Sequence, residues 1–116
     1  MRAVWLLVLA CAAGCATDED PRPASIAYLL PAVLRPSCAT GSCHSRATRA
    51  GDLLLDGDPA TVRAQLVAKK LIYPSRPASP LLVRLRGMFG DRMPPDAPLP
   101  EADIELIERW ILEGAP

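Results

Sequence analysis

Apolar residues recur at the spacing of an amphipathic helix in several stretches of this chain, and no stretch alternates apolar and polar residues as a half-buried strand does. In the first stretch, Ser25 can cap a helix whose apolar positions continue to Leu34. Pro31 falls within this helix and either kinks it or opens a second helical piece as its first residue. Pro36 is predicted to end the helix just before Cys38.

Three further helices are marked by residues that favour helix ends. Asp58-Pro59 offers a cap and a first-turn proline, Ser79-Pro80 opens a helix that Gly87 ends, and Pro100 starts the last helix. The predicted buried stripe of the last helix consists of Ile104, Ile107, Trp110 and Ile111. With thirteen prolines in the chain, the pattern predicts an all-α domain of about four short helices joined by long proline-rich loops.

The N-terminal residues predict export. Arg2 precedes an apolar run over residues 4–13 that is too short to span a bilayer and is typical of a signal peptide. Small residues stand before Cys15 as in the lipobox of bacterial lipoproteins, with Cys11 as a second candidate. We therefore expect residues 1–14 to be removed, Cys15 to be lipidated, residues 15–24 to form a polar tether and residues 25–116 to fold.

Processing at Cys15 leaves Cys38 and Cys43 for chemistry, and His44 directly follows the second of them. A free cysteine pair does not persist in an oxidising compartment, so three states are possible. The thiols can hold a haem covalently with the imidazole as an iron ligand, form a disulfide, or bind a metal ion. Zinc is disfavoured because the chain has one histidine and few further thiols to complete a site.

Four residues separate the two cysteines, whereas the usual haem-attachment spacing has two. On a regular helix, residues five apart are rotated by about 140°, so Cys38 and Cys43 cannot face one porphyrin from an unbroken helix. The intervening residues must bulge outward, and the small residues at 39–42 permit this. Gly41 offers a positive φ if the loop needs one.

Met93-Pro94-Pro95 provides a candidate for the second axial iron ligand. A residue before proline is held in extended geometry, and two prolines stiffen the loop that presents the Met93 thioether. Met88 is the competing candidate, beside Gly87 in a less constrained stretch. The alternative is that Met93 only fills a gap in the core.

These motifs resemble the small planctomycete-type cytochrome c domains that occur in bacterial lipoproteins. The resemblance covers nearly all of residues 25–116, and its most specific parts are the Met93-Pro94-Pro95 loop and the closing residues from Trp110 to Pro116. It implies a cytochrome c-like fold with haem c attached at Cys38 and Cys43. It also implies that His44 and Met93 are the axial iron ligands. The four-residue spacer departs from the usual pattern of the family.

The expected function is that of a membrane-anchored, periplasm-facing electron carrier rather than an enzyme. A net charge of zero gives no case for nucleic-acid binding. Positive charge is concentrated in residues 62–92 and negative charge in residues 93–116, and such a dipole can orient a periplasmic or membrane redox partner. Arg84 or Arg86 could pair with a haem propionate, and Trp110 could pack on the porphyrin. The alternative function is a haem-free lipoprotein interaction or structural module with a Cys38–Cys43 disulfide.

Overall fold

The computed structural model describes residues 19–116, and these contain helices and loops but no strand, which confirms the all-α prediction. The predicted signal peptide and Cys15 lie outside the described residues. This described part of the chain contains four helical units, the first of which is a continuous run over residues 26–38. The elements are α1 (Ile26–Leu29), a π-helical turn (Leu30–Leu34), α2 (Arg35–Cys38), a 3-10 turn (Ala50–Asp52), α3 (Pro59–Ala68), α4 (Pro80–Arg86) and α5 (Glu101–Leu112).

The N-terminal run begins as predicted at Ser25, whose side chain accepts a hydrogen bond from the backbone N–H of Tyr28. Pro31 lies in the first turn of the π-helical segment, so it opens a second helical piece. The prediction that Pro36 ends the helix is wrong, because α2 continues to Cys38. The wider π-helical turn ends at Leu34, and Pro36 then lies in the first turn of α2, where no helical N–H is required.

The next two helices begin where the sequence indicates, and the second of them also ends there. Asp58 caps α3 by accepting from the N–H of Thr61 at 3.0 Å, and Pro59 is the first helical residue. α4 starts at Pro80 and ends at Gly87, which takes the left-handed conformation with φ 63°. Residues 73–79, between these two helices, form an irregular connection.

The core lies between the N-terminal run, α3, α4 and α5. α5 contributes the predicted stripe together with Leu106, and Trp110 is fully buried. The Trp110 indole N–H donates to the carbonyl of Pro116 at 2.7 Å, and the same carbonyl accepts from the backbone N–H of Ile26 at 2.9 Å. The end of the domain is thereby bonded to the start of its first helix.

The segment before the first helix is bound to α5. Arg22 makes a bidentate ion pair with Asp20 and a second ion pair with Asp103. The guanidinium of Arg109 donates hydrogen bonds to the backbone carbonyls of Asp20 and Arg22. Hydrogen bonds from Arg22 lower the pKa of Asp20 to about 2. Residues 20–22 of the predicted tether therefore lie against the folded domain.

No helix in the described part of the chain has the length and apolar character needed to cross a membrane.

Candidate functional site

The spacer between the two cysteines forms an exposed turn. Cys38 is the last residue of α2, and its carbonyl accepts from the N–H of His44 at 3.0 Å. Within this closed segment, the N–H of Cys43 donates to Thr40 at 3.0 Å. Thr40, Gly41 and Ser42 are exposed, so the spacer bulges into solvent. Gly41 is not among the residues with positive φ, and a β-carbon there would meet no atom within 4 Å, so the turn does not depend on glycine.

The two cysteines are both free and half-buried, but their surroundings differ. Cys38 packs against the buried apolar cluster, and burial raises the pKa of its thiol to about 11, with a smaller contribution from Cys43. Cys43 instead lines an open cleft and lies 3.8 Å from the hydroxyl oxygen of Ser42. The thiol of Cys43 therefore faces a space that a ligand can enter, and that of Cys38 faces the core.

His44 is fixed by both its backbone and its ring. Its backbone N–H donates to Cys38, and its carbonyl accepts from the N–H of Leu55 at 2.8 Å. The ring Nδ1 lies 2.7 Å from the carbonyl oxygen of Ala50. A carbonyl oxygen can only accept a hydrogen bond, so Nδ1 carries the proton. In the neutral ring, Nε2 then keeps its lone pair for a metal ion.

The position of the Ala50 carbonyl follows from an unusual turn. Ala50 donates its own N–H to the carbonyl of Cys43 at 3.0 Å, so the motif and this turn are bonded in both directions. Arg49, Gly51 and Asp52 all have positive φ, which folds the chain back onto the motif. A backbone carbonyl that holds the second nitrogen of a histidine is a common outer partner of metal-bound imidazole.

The cleft beside the motif has a volume of about 290 Å³. Ser37, Thr40 and Cys43 line one side, and residues 94–100 line the other, with four prolines among them. This volume lies near the lower limit of about 300 Å³ for small-molecule sites. A ligand larger than the cleft would extend beyond it into solvent. The structure thus brings Cys43 and the proline loop to one cleft, whereas Cys38, His44 and Met93 adjoin lining residues in the sequence but do not line it.

Met93 immediately precedes the cleft-lining prolines but is not itself a lining residue. Its backbone N–H donates to the carbonyl of Arg84 at 3.0 Å, which ties the start of the loop to the end of α4. Its side chain is 37% exposed, whereas that of Met88 is 58% exposed. Met93 is thus the less exposed of the two candidate ligands and the one that directly adjoins the cleft.

Other candidate residues lie away from the cleft. Trp110 is fully buried in the core and does not line the cleft, and its packing on a ligand stays a prediction. Arg86 pairs with Glu108 at 2.7 Å and Glu101 at 3.6 Å, and it therefore joins α4 to α5. Arg84 donates to the carbonyl of Asp91 and helps to shape the loop before Met93.

The sequence did not identify the full lining of the cleft. Leu99 is the buried apolar residue of its wall, and Ser37 and Thr40 flank the cysteine motif. The density of prolines after Met93 was the one available signal for that wall. Within residues 19–116, no three His, Cys, Asp or Glu residues group together as a metal site.

Comparison of the chain with protein-family models, curated proteins and solved structures gives no match.

Proposed function

We propose that this protein is an exported, lipid-anchored c-type cytochrome that carries one haem and transfers electrons between envelope proteins. The observation that carries the proposal is the 2.7 Å contact between His44 Nδ1 and the Ala50 carbonyl. It leaves the Nε2 lone pair for iron in the residue that directly follows Cys43, whose thiol lines an open cleft. A disulfide module has no need for a histidine held in this tautomer.

The residues present fit a haem. Cys43 supplies a thiol at the cleft, His44 an imidazole with a fixed ring, and residues 94–100 a stiff and largely apolar wall. When bound, the haem would supply an iron that changes its oxidation state by one electron. His44 and Met93 would hold the iron through a nitrogen and a sulfur, a ligand pair that favours electron transfer over oxygen chemistry.

Met93 is the proposed distal ligand. Its backbone is held by the bond to Arg84 and by the two prolines that follow it. A thioether is a weak ligand, so a loop that already holds it in place reduces the entropy lost on binding iron. Met88 has no proline beside it and follows the left-handed Gly87 at the end of α4.

The surface beside this loop suits an acidic redox partner. Arg84 and Arg92 are exposed. Phe89 lies between them in the sequence and is 82% exposed. Complementary charge on a periplasmic or membrane redox protein would speed and orient the encounter, and an apolar contact at Phe89 would retain it.

The bound N-terminal segment would place the domain close to its membrane. Asp20 and Arg22 are held on α5, so a lipid on Cys15 would be joined to the bound segment by residues 16–19 alone. Covalent geometry limits the distance from Cys15 to Asp20 to about 18 Å. We propose that the anchor keeps the domain at the membrane surface instead of on a long tether.

Production with a c-type maturation system tests the proposal. The protein is denatured, and its mass and absorbance are then recorded. We expect the haem mass and the Soret absorbance to remain with the denatured chain because the link is covalent. A denatured chain with neither would contradict the cytochrome function and favour the haem-free lipoprotein module.

Replacing Met93 with alanine tests the distal ligand. We expect the weak band near the red edge of the oxidised spectrum, which reports the sulfur–iron bond, to disappear. Met88→Ala is the matched control because it removes a thioether from the same loop region. It should leave this band in place. Loss of the band in Met88→Ala and its retention in Met93→Ala would assign the ligand to Met88.

A further inference from the structure

The two cysteines are not equivalent. Cys43 lines the cleft opposite residues 94–100, whereas Cys38 is absent from the lining and packs against the buried cluster. Both belong to the same hydrogen-bonded segment, closed by the bond from His44 N–H to the Cys38 carbonyl. Their difference therefore comes from position: Cys38 ends the helical run just after the buried Val33 and Leu34, and Cys43 lies at the end of an exposed turn.

Turning Cys38 toward the cleft would disturb the helix that carries it. Val33 and Leu34 precede it in the same helical run and are buried, which fixes the rotation of α2 about its axis. Ala39, which follows Cys38, also packs against the core. Exposing the Cys38 sulfur would remove the apolar contacts that Cys38 and Ala39 make with the buried cluster. Cys43 needs no rearrangement to meet a ligand in the cleft.

We propose, on the basis of the cytochrome function above, that the haem is attached through Cys43 alone and that Cys38 remains a thiol packed against the core. In this reaction the S–H of Cys43 adds across one haem vinyl group. The sulfur bonds to the carbon next to the ring, the proton goes to the terminal carbon, and the double bond becomes single. The addition requires no oxidant or reductant, and the other vinyl group stays intact.

This arrangement also accounts for a thiol that survives in an oxidising compartment. Cys43 is the other cysteine of residues 19–116, and as a thioether it can no longer form a disulfide with Cys38. The half-buried Cys38 side chain also packs against the core, which restricts the approach of an oxidant or a second thiol to its sulfur.

Thiol counting on the haem-loaded full chain tests the proposal without any variant. The protein is denatured, alkylated and mapped by peptide mass. We expect haem on Cys43 and one alkyl group on Cys38. The pyridine haemochrome should also absorb at longer wavelength than that of a doubly attached haem, because one vinyl group stays conjugated. An unalkylated Cys38 with the band of a doubly attached haem would overturn the single link while the cytochrome function stands.

Two variants give an independent result. Cys38→Ala should retain covalent haem at the wild-type yield, and Cys43→Ala should lose it. Retention of covalent haem by both variants would contradict the proposal, since either cysteine could then form the link. Absence of haem from the wild-type chain would overturn both this proposal and the proposed function.

Discussion

Replacing His44 with alanine is expected to abolish the low-spin spectrum of the haem-loaded protein while the haem remains covalently attached. In the proposed cytochrome, Cys43 would hold the haem and His44 would ligate its iron, so that only the second function would be lost. The chain has no other histidine that could replace it. Optical and electron paramagnetic resonance spectra of the oxidised protein would show the change from low to high spin.

Added imidazole distinguishes loss of a ligand from loss of the fold. It should restore a low-spin spectrum to His44→Ala, because it supplies the missing nitrogen at the iron. Arg46→Ala is the matched control: its side chain is exposed, and its contact with Asp56 is made by the backbone N–H at 2.8 Å, which alanine keeps. A His44→Ala spectrum identical to that of the control would exclude His44 as an iron ligand.

The helix ends were predictable because their chemistry is local. Asp58 and Pro59 fix the start of α3 within a single turn, since the cap hydrogen bond joins residues three apart. Gly87 ends α4 in the left-handed conformation that glycine adopts most readily. No information from distant parts of the chain is needed for either prediction.

The path of the first helix was harder to predict because the usual rule for proline assumes an unbroken α-helix. Pro36 would lack a bond to the fourth residue before it in such a helix. The π-helical turn over Leu30–Leu34 changes the register, and a new α-helical turn begins around the proline. The sequence contains Pro31 and Pro36 but no residue that specifies this turn.

The candidate site is defined by the partner of the His44 ring and by the cleft at Cys43. Both depend on contacts that the residue types do not specify. The ring of His44 bonds to the backbone carbonyl of Ala50, so no pattern of side chains predicts this contact. Gly51 indicates only that a turn lies nearby. The cleft forms because residues 94–100 lie opposite Cys43, a contact that chain order alone does not specify. The sequence therefore indicates the thiol and imidazole groups of the candidate site but not the contacts that orient them.

Replacing Trp110 with alanine is expected to cost about 3–5 kcal/mol of the free energy of unfolding, because a fully buried indole leaves a large cavity. This is a large share of the total free energy of unfolding of a small domain, which is about 5–15 kcal/mol. Most of the loss comes from packing, since the Pro116 carbonyl keeps its bond from Ile26 when the indole is removed. Leu112→Ala, 46% exposed on the same helix, is the control and should change stability by about 0.5 kcal/mol or less. Urea unfolding followed by far-ultraviolet circular dichroism measures both, and equal midpoints would show that Trp110 does not hold α5 in the core.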